Sequence, residues 1–358
     1  MSLLKSILGG KSFLGVDIGT SSIKISEISK IGNSLHLTNY GILETYSYLE
    51  RLNQSFQTST LKISEEFTAP MLKLLVQKMK TKVRQANVSL SAFSVFSTLV
   101  EIPAMNDSEM KKFIDLQAQQ YVPVPLQTVA LDWMRVGEKM DNTGTKKSQI
   151  LLVAIPRDLI IKYQNIFSFA GLKLISVEVE GMSLARVLTR GLQKNSLIID
   201  IGSRSTSLSI ANNGYLKSGE QTDFSGGSIT QTISNGLNIH PRRAEDFKKE
   251  RGLFGSQGEH ELSTLITPVL DVIIYEAKRI LSNFESNYQE NADAVFLCGG
   301  GSNMIGIDSY FESKLGLKTQ KADPFSDINY DKELENILKS IGSGMSVSLG
   351  LAIKPYTS

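Results

Sequence analysis

Two short segments of this chain carry the same chemistry. Phe13–Ser22 and Leu197–Thr206 each run an apolar strand into an Asp-Ile-Gly turn followed by hydroxyl residues. A phosphate chain needs such a turn. Gly19 and Gly202 let the backbone approach closely, and successive turn N–H groups form an anion-binding nest. The hydroxyls of Thr20, Ser21 and Ser22, and of Ser203, Ser205 and Thr206, add donors. Lys24 adds positive charge if it points inward. Asp17 and Asp200 would hold Mg²⁺, through water because magnesium dehydrates reluctantly. Either turn alone is an ordinary strand-to-strand connection. Two copies in equivalent settings form an internal repeat, and two such hairpins face to face would clamp a nucleoside triphosphate from both sides.

A third element follows the apolar run 294–297, where Gly299-Gly300-Gly301-Ser302 sits at the strand end that receives ligands in open α/β sheets. Glu245 and Lys248 are one helical turn apart and could reach an adenosine. They could equally be a solvated pair worth a few tenths of a kcal/mol. His36, His240 and His260 are scattered, and no Cys/His metal spacing occurs. The G-x-x-x-x-G-K-[ST] loop is absent, which excludes a P-loop enzyme.

The elements that would position these residues can be read from periodicity. The segment 13–43 reads as three strands in a meander, and 44–68 as polar loop. Pro70 opens a helix to about Gln85. From 94 to 177 the order is strand, helix, strand, strand, helix, strand, a small α+β module set into something larger. Within it Asp107 or Ser108 caps a helix, and Tyr121–Pro125 is non-helical because proline restricts its predecessor. Ser183–Leu192 reads as a helix. The strand–turn–strand theme then returns at 196–219, with an Asn212-Asn213-Gly214 hairpin. Helices follow Gly226-Gly227 and Pro241, and a long amphipathic helix covers about 262–288. The segments 334–339 and 343–352 read as two closing helices.

A chain of 358 residues suits two large lobes. Hydrophobic residues make up 41%, charged residues 21%, and the net charge is +2, without the clustered basic excess of a nucleic-acid binder. The basic residues from Arg242 to Arg251 read as a solvated patch. One cysteine, Cys298, excludes an internal disulfide and fits a reducing compartment. No apolar run of about 18 residues spans a membrane. Leu3, Leu4, Ile7 and Leu8 could share a helical face, and a short helix lying on the protein is the favoured reading over contact with a membrane surface.

The two Asp-Ile-Gly turns and the triple glycine resemble the actin/Hsp70/sugar-kinase superfamily and, within it, the PilM family of type IV pilus assembly, which is similar to FtsA. The resemblance covers almost the whole chain. Phe13–Lys24 looks like the first phosphate motif, Asp200–Thr206 the second and Leu297–Asn303 the adenosine motif. Gly226-Gly227 and Ala244-Glu245 with Lys248 match the PilM and FtsA pattern. In that pattern Glu245 and Lys248 contact the ribose or base. Glu101-Ile-Pro-Ala, Tyr121-Val-Pro and Asp132 mark the inserted module. The chain stops at Ser358 without FtsA's linker and membrane helix, which favours PilM.

The resemblance implies an α/β, actin-like (ribonuclease H-like) two-lobed ATPase fold with an inserted α+β subdomain. The first lobe would be 1–93 with 178–195 and about 340–358, and the insert 94–177. The second lobe would be 196–225 with 290–339, carrying a subdomain at 226–289. ATP and Mg²⁺ are the implied cofactors. A catalytic carboxylate is expected at the crossover, where Glu180 is preferred to Glu178. Arg204 stands where the superfamily often has glycine, which puts turnover in question more than binding. The expected protein is cytoplasmic and reaches the inner membrane only through partners. These would be the N-terminal tail of a PilN-like protein and the pilus motor ATPases, with homo-oligomer formation left open. Leu99–Met105 and the face near Trp133 are candidates for the tail groove. An FtsA-like filament protein and a metabolic kinase are the alternatives.

Overall fold

The computed structural model describes residues 11–44, 64–140, 143–253 and 260–357. The N-terminal apolar face at Leu3–Leu8 and most of the polar loop at 44–68 lie outside these residues. Three strands open the chain: β1 (Ser12–Ile18), β2 (Ser22–Ile31) and β3 (Ser34–Glu44). Helix α1 (Glu65–Met79) and strand β4 (Gln85–Leu90) follow. The inserted module contributes β5 (Phe96–Pro103), α2 (Asp107–Gln117), β6 (Val129–Met140) and β7 (Lys146–Pro156). The chain then forms α3 (Arg157–Phe169), β8 (Lys173–Val179) and α4 (Glu180–Leu188).

The second half begins with β9 (Ser196–Ile201), β10 (Thr206–Asn212) and β11 (Tyr215–Thr222). Three helices follow: α5 (Gly226–Leu237), α6 (Pro241–Arg251) and α7 (His260–Tyr288). The last elements are β12 (Ala294–Cys298), α8 (Ile307–Leu315), β13 (Lys318–Lys321), β14 (Ile328–Asn329) and α9 (Glu335–Ile353).

The sequence repeat is a topological repeat. One sheet runs β14-β3-β2-β1-β4-β8 and another β11-β10-β9-β12-β13. In each, three antiparallel strands form a meander and the first of them is flanked by a parallel strand, β4 beside β1 and β12 beside β9. A further parallel strand ends each series, β8 beside β4 and β13 beside β12. The meanders need only tight turns, whereas each parallel step needs a crossover. In the first half that crossover holds the inserted module, whose own sheet is β5-β7-β6.

Several expectations are corrected here. The helix expected from Pro70 to Gln85 starts at Glu65 and ends at Met79, where Lys80 turns left-handed with φ 52°. Glu65 and Glu66 suit the positive end of the helix, and Pro70 sits inside it. Strand β4 begins where that helix was expected to end and went unread, because it is a central strand between two parallel neighbours. Ala86–Leu90 is buried throughout, so no alternating pattern appears. The cap of α2 is Asn106, whose side chain and Glu109 form a reciprocal capping box. Helix α4 begins at Glu180 rather than Ser183. Strand β8, read with the inserted module, belongs to the first sheet through its pairing with β4.

The two closing helices are one, α9. Gly342 and Gly344 weaken helix propensity by about 1 kcal/mol each relative to alanine, but tertiary packing overrides it. Helix α9 lies across the first sheet: a Cβ on Gly15 would come 1.9 Å from the Ser348 carbonyl oxygen, and one on Gly350 would come 2.0 Å from that of Ser183. Ser26 and Ser348 share a buried hydrogen bond of 2.8 Å, and Asn87 donates to the Leu351 carbonyl at 3.2 Å. A helix from the chain's end therefore closes the core of its beginning. Among the described residues no helix is long and apolar enough to cross a membrane.

Candidate functional site

The two Asp-Ile-Gly turns have matching local geometry. Gly19 N–H donates to the Ser22 carbonyl at 2.9 Å, and Gly202 N–H to the Ser205 carbonyl at 3.0 Å. Asp17 pairs across its hairpin with Lys24, and Asp200 pairs with Ser207. Both hairpins open onto one cleft of about 840 Å³ between the sheets. Gly299, Gly300 and Gly301 line it from the end of β12. Gly299 has φ 78°, and a Cβ there would meet Asp200 Oδ1 at 2.1 Å. Only glycine lets the third turn pack against the second aspartate. Gly299 N–H also donates to the Ser343 carbonyl at 3.0 Å, so α9 holds this turn in place.

The charge balance of the cleft floor is uneven. Lys24 Nζ lies 3.4 Å from Asp17 Oδ2. Burial works against the Lys24 charge, but Asp17, Asp200 and Glu180 together raise its pKa. Asp200 is pushed up to about 6, first by burial and then by Asp17, with Lys24 pulling the other way. Glu180 is pushed up to about 8, by burial and by Asp17 and Asp200. Three carboxyl groups thus converge on one ammonium. Glu178 is engaged elsewhere: it is 2% exposed and takes both Arg186 nitrogens, at 2.7 and 2.9 Å. Of the two crossover acids, Glu180 is the one that reaches the cleft.

Of the remaining expected residues, Thr20, Ser21, Ser22, Ser203 and Ser205 line the cleft, and Arg204 sits exposed on its rim. Thr206 and Ser302 do not line it. The Thr206 hydroxyl donates to the Phe224 carbonyl at 2.7 Å, and the Ser302 hydroxyl to the Gly299 carbonyl at 2.8 Å. Both are buried braces for the turns beside them. Gly226 and Gly227 line the cleft, yet their N–H groups are spent on the second turn, donating to the Gly202 and Ser203 carbonyls at 2.9 Å each.

Glu245 and Lys248 are buried against each other rather than solvated. Lys248 Nζ reaches Glu245 Oε2 at 2.5 Å, the Thr230 hydroxyl at 2.8 Å and the Gly226 carbonyl at 2.9 Å. Burial lowers the Lys248 pKa despite its partner. Burial also opposes the Glu245 charge, but Lys248 and Thr230 hold that carboxyl below its usual range. The pair fastens α6 to the start of α5 at the cleft wall.

Several cleft residues went unread in the sequence, Ser207, Tyr163 and Gln221 among them. Ser207 is buried with an unpartnered hydroxyl and lines the cleft. Its position, seven residues after Asp200 as Lys24 follows Asp17, was the available signal. Tyr163 of α3 is 2% exposed and lines the cleft. Burial, Glu180 and Asp17 raise its phenol pKa, so it stays neutral. Gln221 of β11 lines the cleft beside the second turn. No local pattern marks either.

A family model for the type IV pilus assembly protein PilM matches residues 15–356. Among solved structures, a PilM–PilN type IV pilus biogenesis complex is similar, with a TM-score of 0.75 and 24% identity over 96% of this chain and 98% of that one. The ethanolamine utilization protein EutJ from Carboxydothermus hydrogenoformans gives a TM-score of 0.58 at 15% identity, covering 96% of this chain and 90% of its own. MreB5 of Spiroplasma citri bound to AMPPNP gives 0.56 at 14% identity, covering 98% and 97%. The fold is that of the actin-like ATPases, and the match across nearly the whole length shows that this chain belongs to the PilM family of type IV pilus assembly proteins.

Proposed function

We propose that this chain binds ATP with Mg²⁺ in the cleft and that closure of the two lobes around the nucleotide sets its affinity for the N-terminal tail of a PilN-like protein. The observation that carries the reading is the cleft floor: two matching phosphate-type turns, each with a carboxylate, facing one another with a single ammonium between them. A polyanion alone would be repelled by the surplus carboxyl charge. A nucleotide carrying a divalent cation would relieve it. Among the described residues no three carboxylate, imidazole or thiol groups come close enough to ligate one ion, which favours holding the cation through water. The unpartnered Ser207 hydroxyl fits a phosphate oxygen, and the glycine cradle at 299–301 fits an adenosine approaching the backbone.

The bound cation would supply charge neutralisation. The chain's residues would do the rest: turn N–H groups of 20–22 and 203–205 orient the phosphates, and Lys24, 3.4 Å from Asp17, adds positive charge beside them. Glu180 is the candidate general base. With its carboxyl held to about 8 in the nucleotide-free protein, it is mostly protonated there at neutral pH, which fits slow turnover. The solved PilM–PilN complex supports a PilN-like partner here. The pilus motor ATPases are further candidate partners, and a homo-oligomer is a further candidate assembly.

Calorimetric titration tests the reading. Asp17→Asn and Asp200→Asn should each weaken Mg-ATP binding at least about 30-fold, the loss of about 2 kcal/mol expected for a contact to charge, with the far-UV spectrum unchanged. A peptide copying the host's PilN-like tail should bind with an affinity that changes when Mg-ATP is present. Unaltered ATP affinity in both variants would sink the cleft assignment. Tail binding indifferent to nucleotide would remove the coupling, and no tail binding in either state with ATP still bound would shift weight to a filament or kinase role.

A further inference from the structure

Strand β11 is the edge of the second sheet, and the inserted module is fastened to the second lobe along it. One tie is remote from the cleft. Gln149 of β7 donates to Glu290 at 3.2 Å, and Glu290 also takes Lys217 of β11 at 2.6 Å and Asn195 at 2.9 Å. Lys139 of β6 donates to the Tyr288 carbonyl at 2.5 Å, at the end of α7. A Cβ on Gly137 would meet Gln149 Oε1 at 2.6 Å, so glycine leaves Gln149 room.

The other tie is inside the cleft. Gln221 Oε1 accepts from the Ser91 hydroxyl at 2.8 Å and from the Phe93 N–H at 3.0 Å. Its Nε2 donates to the Ser205 hydroxyl at 2.6 Å. The amide orientation is fixed by chemistry, because a backbone N–H can only donate and must face the oxygen. Ser205 belongs to the second Asp-Ile-Gly turn, whose carbonyl receives the Gly202 N–H. Ser91–Phe93 is the connection from the first sheet into β5. One side chain therefore touches both the phosphate-type turn of the second lobe and the entry to the inserted module.

The geometry points to Gln221 as the positioning residue through which occupancy of the cleft is transmitted to the inserted module. This rests on the nucleotide reading above. The Ser205 hydroxyl accepts from Gln221 and keeps its own proton to donate to a phosphate oxygen, so a bound phosphate that draws this hydroxyl toward itself draws the Gln221 amide with it. The amide can follow only by moving its oxygen relative to Ser91 and Phe93. With the Glu290 tie holding the module's far end, a shift at Gln221 tilts the module instead of translating it. Coupling of this kind requires a contact that differs between the two states, and Gln221 is where such a contact can change.

Hydrogen exchange resolved by peptide, with and without saturating AMPPNP and Mg²⁺, tests the inference. Saturation removes any effect of altered affinity. In the unmodified chain the nucleotide should change exchange in the segment 91–103 by about tenfold, the size of one net hydrogen bond, besides protecting the turns at 17–22 and 200–206. Gln221→Met, similar in length but without hydrogen bonds, should keep the protection of the turns and lose the change at 91–103. Ser91→Ala, which removes one partner from the module side, should diminish it and serves if the first variant does not fold. Protected turns with no change at 91–103 in the unmodified chain would overturn the inference and leave nucleotide binding intact. So would an undiminished change in both variants. No protection of the turns at all would refute the nucleotide reading and this inference with it.

Discussion

Asp17, Asp200 and Glu180 crowd carboxyl groups around one lysine, and Asp200 and Glu180 bear that cost as raised proton affinity. Glu180 is held to about 8 from an ordinary 4.5, and Asp200 to about 6 from 3.8, in both cases chiefly by burial. The folded chain therefore binds more protons than the unfolded chain between those values. The stability that this contributes is fully present at low pH and is lost as pH rises, through about 6 for Asp200 and about 8 for Glu180. The nucleotide-free protein should lose unfolding temperature between pH 6 and 8, and Glu180→Gln should flatten that fall, as read by scanning fluorimetry. An unchanged slope in the variant would show that Glu180 does not titrate there. The kcat/KM of residual ATP hydrolysis, which follows the groups of the nucleotide-free protein, should rise over the same interval, and hydrolysis should vanish in Glu180→Gln while ATP is still bound. At this scale the sequence was informative about the turns and silent about Tyr163 and Gln221. A turn residue announces its role through its neighbours, whereas a side chain reaching in from another element has no local signature.

Each element carries part of the site through a specific contact. Strand β8, helix α4 and helix α9 meet at a buried ion pair: Arg186 holds Glu178 at both oxygens and also donates to the Gly350 carbonyl at 2.9 Å, while Lys354 reaches Glu178 at 2.9 Å. Arg186→Met leaves the buried carboxylate short of a partner and should cost about 3–5 kcal/mol in urea unfolding. Gly15→Ala pushes a methyl group into the α9 backbone and should cost about 2–3 kcal/mol. Stability within about 0.5 kcal/mol of the parent in both would mean that α9 does not clamp the first sheet as described. These contacts also explain which element readings failed. Glycines at 342 and 344 suggested a break, yet close packing of α9 on the sheet outweighs their local preference. Strand β4 lacked alternation because it is flanked on both sides.

At the scale of the molecule, two lobes whose sheets share a five-strand order, the first with β14 added at its edge, face one cleft, and the first carries a module that also grips the second. Closure around Mg-ATP should reduce the radius of gyration in small-angle scattering, and Asp200→Asn should prevent the reduction. An identical scattering curve with and without saturating nucleotide would show that the cleft does not close. The duplication was legible because both halves kept the strand–Asp-Ile-Gly–strand unit. The place of β8 in the first sheet was not, since a crossover of about eighty residues separates it from the strand it pairs with.

The sequence alone determined what recurs locally: the paired turns, the triple glycine, the hairpin at Asn212–Gly214, and through them the two-lobed actin-like architecture. Backbone conformation and hydrogen-bond capacity are properties of a few consecutive residues, so they can be read in order along the chain. Only the tertiary structure decided which groups are engaged and which face the cleft. It withdrew Thr206 and Ser302 as braces, occupied the Gly226 and Gly227 N–H groups, locked Glu178 in an ion pair and turned Glu180 inward. It also brought Gln221 onto Ser205 and Ser91. Those outcomes depend on distances between residues far apart in sequence, and on burial, which exists only once the sheets and α9 have packed.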